Sequence, residues 1–167
     1  MSFLRQASSA FQDEVPNFIP SQSLTSSLTI RGARVRVAQP RSRWVAELKS
    51  RFDELTALPT GWDGYEGRPV SFNCAYFTAN LLERLFVDGV PAPQLVPGGD
   101  GTVQFEWHRN QYDVEVDVLA PYDVVAVRRD HRTGQVQEVE LQTDFTSLSE
   151  WISELGQNRA HARRFGG

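Results

Sequence analysis

Cysteine is almost absent from this chain. Cys74 is the only one in 167 residues, which excludes an internal disulfide and a cysteine-built zinc site. It falls on the apolar stripe of a predicted helix, where a free thiol packs as a small buried hydrophobe rather than working as a nucleophile. Long hydrophobic runs are missing too. No stretch approaches the ~20 apolar residues that span a bilayer, and the opening MSFLRQASSAFQDEVPNF has no apolar h-region and places Asp13 and Glu14 early. A cytoplasmic protein with no membrane partner is the expectation. Lysine is nearly absent, with Lys49 alone beside sixteen arginines, a bias associated with GC-rich bacterial or phage genomes. No Walker loop, G-x-G-x-x-G, H-E-x-x-H or G-x-S-x-G occurs, so no cofactor is implied by any of these signatures.

What is present suits one domain. Hydrophobic residues make up 40% of the chain and aromatics 11%. Near this length folding buries roughly 70% of the extended surface, so a core forms without staples. Residues 1–41 read as an extended, partly disordered basic arm, with Ile30, Val35 and Val37 interleaved with Arg31, Arg34 and Arg36. Residues 42–157 read as the folded domain, and residues 158–167 as a basic tail.

Within the domain, Trp44, Leu48, Phe52 and Leu55 recur every three or four residues and predict a helix over 42–57. Pro40 and Pro59 bracket it. A second helix is predicted over 71–87, with Cys74, Phe77, Thr78, Leu81 and Leu85 on one stripe. The period then switches to two. Val103, Phe105 and Trp107 alternate with Gln104, Glu106 and His108, and after a turn around Arg109 and Asn110, Tyr112, Val114, Val116 and Val118 alternate with Asp113, Glu115 and Asp117. That is the pattern of antiparallel strands with one dry face and one wet face. A strand over 124–128 and another after the RTGQ turn follow. In the last, Val136 is out of phase with Val139 and Leu141, which predicts a bulge or a late start. A third helix is predicted over 146–155, with Ser147 and Glu150 at capping-box spacing and Asp144 and Thr146 competing for the cap. The predicted fold is α+β: an antiparallel meander of four to five strands, with two helices before it and one after it packed on one face.

Charge is segregated along the chain. Residues 1–43 hold six arginines against Asp13 and Glu14, and the tail from Arg159 holds three arginines and no acid. Residues 44–158 hold nineteen acidic and eight basic residues. The acidic body is a poor candidate for binding nucleic acid, because phosphates need Lys and Arg; the arm is expected to touch nucleic acid weakly at most. Glu106, Asp113, Glu115 and Asp117 should share the wet face of one hairpin, where like charges opposite one another cost stability. A basic protein surface would offset that cost. A solvated, solubilising face is the plain alternative.

The stretch LPTGWDGYEGRP, residues 58–69, places Trp62 and Tyr65 among turn-forming residues. Gly61 and Gly64 suit positive φ, Asp63 suits an Asx-turn, and Trp62 is large enough to anchor the loop against the helices or the sheet. Trp62 and Tyr65 are also residue types that dominate protein interfaces. The loop is expected to be pinned by Trp62 and to present Asp63, Tyr65 and Glu66. Gly61, Trp62, Asp63, Gly64, Tyr65 and Pro69, followed by Asp100, Gly101, Glu106 and Trp107, resemble an uncharacterised family of small bacterial proteins with a GWDGYGA-x-P loop and a DGG-x-x-x-EW strand. The resemblance covers roughly residues 58–107, departs at Glu66-Gly67-Arg68, and implies no particular activity.

The expected function is that of a non-enzymatic protein-binding module. Its contact residues would be Trp62, Asp63, Tyr65, Glu66, Glu106, Asp113, Glu115 and Asp117, its partner would be a protein with a basic surface, and a homo-oligomer is compatible with the sequence. Antitoxins, immunity proteins, chaperones and anti-defence inhibitors are the roles that such domains fill, and one sub-case mimics nucleic-acid charge. The rival expectation is a small hydrolase or metal-dependent enzyme using Glu106, His108 and Asp113. The three histidines His108, His131 and His161 fall in different elements.

Overall fold

The computed structural model describes residues 42–157 in full, and residues 25–30 and 33–38 as backbone strands. Those two strands, β1 (Thr25–Ile30) and β2 (Ala33–Ala38), pair antiparallel with Thr25 opposite Ala38. The expected disorder of the first part of the arm, and the basic tail, lie outside the described residues.

Helix α1 (Arg43–Thr56) starts where Ser42 accepts the Trp44 N–H on its hydroxyl at 3.1 Å. Capping of this kind satisfies a donor that the first turn leaves orphaned. The helix buries Trp44, Val45, Leu48, Phe52 and Leu55. It ends at Ala57, and Pro59 follows at a position that cannot continue it. Helix α2 (Phe72–Leu85) is capped in the same way by Ser71, which accepts the Cys74 N–H. Cys74, Thr78, Leu81 and Leu85 are buried as expected, joined by Ala75, Ala79 and Leu82; Phe77 is half-buried at the edge of the stripe.

Five strands follow in meander order: β3 (Gln94–Pro97), β4 (Val103–Arg109), β5 (Tyr112–Ala120), β6 (Asp123–Asp130) and β7 (Val136–Leu141), all antiparallel to their neighbours. The last helix, α3 (Thr146–Gln157), returns along the sheet. The α+β architecture is therefore the expected one. Leu95, Val103, Phe105, Trp107, Val114, Val116, Val118, Val124 and Ala126 form the inner face and join the buried side of all three helices in one core. Two buried indoles hold the sheet to the first helix. Trp107 donates to the Pro91 carbonyl and Trp44 to the Val90 carbonyl, each at 2.9 Å, with the two rings 5.4 Å apart. Buried indole N–H groups need such partners.

Four local features correct or complete the expected pattern. The β4–β5 turn is Asn110–Gln111, one residue later than expected; both residues have positive φ, at 54° and 69°, as a two-residue hairpin of matching twist requires. β7 pairs regularly with β6 from Val136 to Leu141, without a bulge. Val136 is out of phase simply because it points to the outer face, and the irregularity in the sheet lies between Val118 and Ala120 of β5 instead. At the start of α3, Asp144 rather than Ser147 carries the cap, accepting from the Thr146 N–H at 2.9 Å and its hydroxyl at 2.6 Å. Strand β3, with prolines on both flanks, adds an edge that alternation did not locate. No helix among the described residues is long and apolar enough to cross a membrane.

Candidate functional site

Because neighbouring strands are in register, the outer face of the sheet can be followed as rows of side chains. One row runs Gln94, Glu106, Glu115, Val127, Glu138; the next runs Val96, Gln104, Asp117, Val125, Glu140. A third holds His108, Asp113, Arg129 and Val136. The four carboxylates expected on this face are all there, and β7 adds Glu138 and Glu140. The face is partly sheltered rather than fully wet, since Glu106, Asp113, Glu115 and Asp117 are each half-buried by their neighbours. Partial burial, with Glu115 and Glu106 close by, raises the Asp117 carboxyl above the usual range. Both causes disfavour its charged form.

One end of this face carries a network that sequence spacing hid. Asp113 bridges two histidines: Oδ1 lies 2.8 Å from His108 Nδ1, and Oδ2 lies 2.6 Å from His131 Nε2. Glu106 Oε1 is 3.5 Å from the other nitrogen of His108. His108 and His131 belong to different elements, as the sequence indicated, yet meet on one carboxylate, while His161 lies outside the described residues. The β4–β5 register sets His108 opposite Asp113, and the β6–β7 connection carries His131 back over the same carboxylate, with the His131 N–H on the Gln111 carbonyl at 2.8 Å. The hydrogen bond to Asp113 raises the His108 pKa against the opposing effect of partial burial, and Glu106 adds to the rise. For Asp113, partial burial pushes upward, but the two imidazoles together outweigh it and lower its pKa. Glu106 and His108 line an open depression of about 510 Å³ with Gln94, Trp107 and Asn110; Asp113 is not part of its wall. Among the described residues, no three His, Cys, Asp or Glu side chains are grouped so as to hold a metal ion.

The second cluster is the loop 58–69. Gly61 and Gly64 have φ of +79° and +84°. Asp63 Oδ1 accepts from the N–H groups of Tyr65 and Gly67, both at 2.9 Å, and these bonds lower its pKa. The loop closes on itself where Gly61 N–H meets the Gly67 carbonyl at 2.7 Å and the Trp62 indole donates to the Arg68 carbonyl at 3.0 Å. Gly67 is required by space. A Cβ there would sit 2.6 Å from the Asp63 carboxylate. Trp62 is half-buried and pins the loop to its own exit strand rather than to the core, which corrects the expected anchoring over helices or sheet. Asp63 behaves as expected. Its Oδ1 closes the turn while the residue stays exposed, so Asp63 is presented to solvent together with Tyr65, 87% exposed, and Glu66.

The loop does not stand alone. Arg68 N–H bonds the Gly99 carbonyl and Ser71 N–H the Gly101 carbonyl, both at 2.8 Å, with Arg68 bridged in parallel to Asp100. Asp100 in turn accepts from the Thr102 hydroxyl at 2.6 Å, and this bond lowers its pKa. The two sequence motifs, some 35 residues apart, are therefore the two halves of one structural unit at the mouth of the β3–β4 turn. No family model, no curated protein and no solved structure matches this chain.

Proposed function

We propose that the protein is a non-enzymatic binding module whose outer sheet face receives a basic surface of a partner protein. One observation carries this reading. Glu106, Asp113, Glu115 and Asp117 are set side by side on regular strands, and Glu138 and Glu140 extend the same face on β7. Side chains two apart on a strand repeat at roughly 6.8 Å, so the face presents a fixed grid of negative charge. Regular strands hold such a grid without ordering cost at the moment of binding. Complementary charge steers encounter and fixes register. Antitoxin, immunity, chaperone and anti-defence roles in a bacterial or phage setting all fit this mode, as does occupation of another protein's nucleic-acid groove.

The test is crosslinked capture from the native host, then association kinetics of the captured protein with wild type and with the triple variant Asp113→Asn, Glu115→Gln, Asp117→Asn. Slower association of the variant, and a wild-type rate that falls with salt, support the reading. Equal rates at low and high salt overturn it and move attention to Tyr65 and Glu66.

The Asp113-bridged histidines favour a second reading, a small hydrolase. Asp113 would orient the His108 ring for general-base work, with Glu106 beside it. Turnover of an ester or phosphoester panel that disappears in His108→Ala would support it; equal turnover in wild type and variant would remove it.

A further inference from the structure

The five-stranded sheet has two edges, and the chain treats them differently. Strand β3 is short and blunted. Pro97 has no N–H to offer, and Arg51 of α1 donates through Nε and Nη2 to the Leu95 carbonyl, both at 3.3 Å. Strand β7 carries neither guard. Its six residues include no proline or lysine, pair with β6 without a bulge, and leave Val136, Gln137, Glu138 and Glu140 exposed. An open edge of this kind is a template for another strand.

The free backbone groups of β7 follow from its register. The Asp130 N–H bonds the Gln135 carbonyl at 2.9 Å. Antiparallel ladder bonds recur at every second pair, so Arg128–Gln137, Ala126–Val139 and Val124–Leu141 exchange them. The N–H and C=O groups of Val136, Glu138 and Glu140 therefore point away from β6, and no described residue bonds them. The side chains of these three stand on the outer face, in the rows that hold Asp113, Glu115 and Asp117.

Charge selects the occupant. A second β7 laid antiparallel on the first, with the two faces kept continuous, sets Glu138 opposite its own copy or opposite Glu140. Like charges so placed are destabilising, which disfavours pairing between two copies of this chain. We propose that the β7 edge takes an extended, antiparallel segment of a partner protein as an added strand. Lys or Arg of that segment faces Glu138 and Glu140, and an apolar residue between them lies beside half-buried Val139. The inference rests on the proposed binding role, from which it takes the basic partner. In strand addition main-chain bonds supply attachment, and alternate side chains supply selectivity.

The experiment titrates the full chain with a peptide of alternating arginine and valine and follows amide hydrogen exchange. Exchange at Val136, Glu138 and Glu140 should slow severalfold, while the already bonded Gln137 and Val139 amides change little. N-methylation of the arginine amides should abolish this protection, and N-methylation of the valine amides should preserve it. Glu138→Gln combined with Glu140→Gln should weaken binding severalfold. Unchanged exchange at the three edge amides, or equal binding by both methylated peptides, overturns strand addition. If the peptide binds without protecting the edge, and Asp113→Asn, Glu115→Gln, Asp117→Asn abolishes that binding, strand addition fails while the basic-partner reading stands. Equal protection by a threonine–valine peptide overturns the basic chemistry assigned to the partner.

Discussion

Glu106 stands directly opposite Glu115 across the β4–β5 ladder, with Asp117 next along β5. Two carboxylates facing each other across a ladder destabilise the folded state, and for the third, Asp117, partial burial together with these two charges raises the pKa. The sign follows from that direction. An acid whose folded pKa is above its unfolded value destabilises the fold once it is ionised, and the penalty disappears as pH falls through the folded value. Asp117→Asn should therefore raise stability at neutral pH by roughly 0.2–1 kcal/mol, with the gain vanishing in acid. Denaturant melts at pH 7 and below pH 4 check both halves of the prediction.

The His108–Asp113 pair behaves in the opposite sense. The His108 contribution is fully present below its ordinary value of 6.5 and is lost as pH rises through its raised folded value. The Asp113 contribution is present above 3.8 and is lost as pH falls through its lowered folded value. Both operate together between those limits. An NMR titration of the His108 ring should place its midpoint above that of an unperturbed histidine, and Asp113→Asn should bring it back down. A midpoint unmoved by the substitution would refute the bridged geometry.

Trp107→Ala removes a 3%-exposed ring from contact with Trp44 and Phe105 and leaves the Pro91 carbonyl without its donor. The expected loss is about 3–5 kcal/mol, measured as a fall in the denaturation midpoint. Trp107→Phe should recover part of the packing but not the hydrogen bond.

Gly67→Ala tests the loop clasp. The added methyl group meets the Asp63 carboxylate head-on, so either the carboxylate or the turn must shift. Loss of its bonds to the Tyr65 and Gly67 amides loosens the turn. The measurable signs are a lower melting midpoint and faster exchange of the Tyr65 and Gly67 amides, while Gly134→Ala, with open space around it, should leave those amides alone.

The alternation around Phe105 and Val116 made the central strands and their dry face legible, because a period of two has only one reading once one face is apolar. The helix starts were legible through Ser42 and Ser71. Strand β3 was not, since the four residues from Gln94 to Pro97 carry too little periodicity and take their pairing from β4. The acidic grid followed from the same parity, but the His108–Asp113–His131 bridge did not. His131 belongs to a turn 23 positions from His108, and only the β5–β6 register brings it over Asp113. In the loop, Asp63 was correctly expected to close a turn, but the space that demands Gly67 is a property of the folded carboxylate and cannot be seen in the string.

Parity has one more consequence. On β4 and β5 the even positions of one strand and the odd positions of the other face outward, while the residues between them hold the core. Six or more outward side chains can therefore be exchanged without touching a single buried contact. The outer rows can thus be rewritten by substitution while the folding half of each strand is kept. Surface character and foldability are interleaved residue by residue, yet they are separately adjustable.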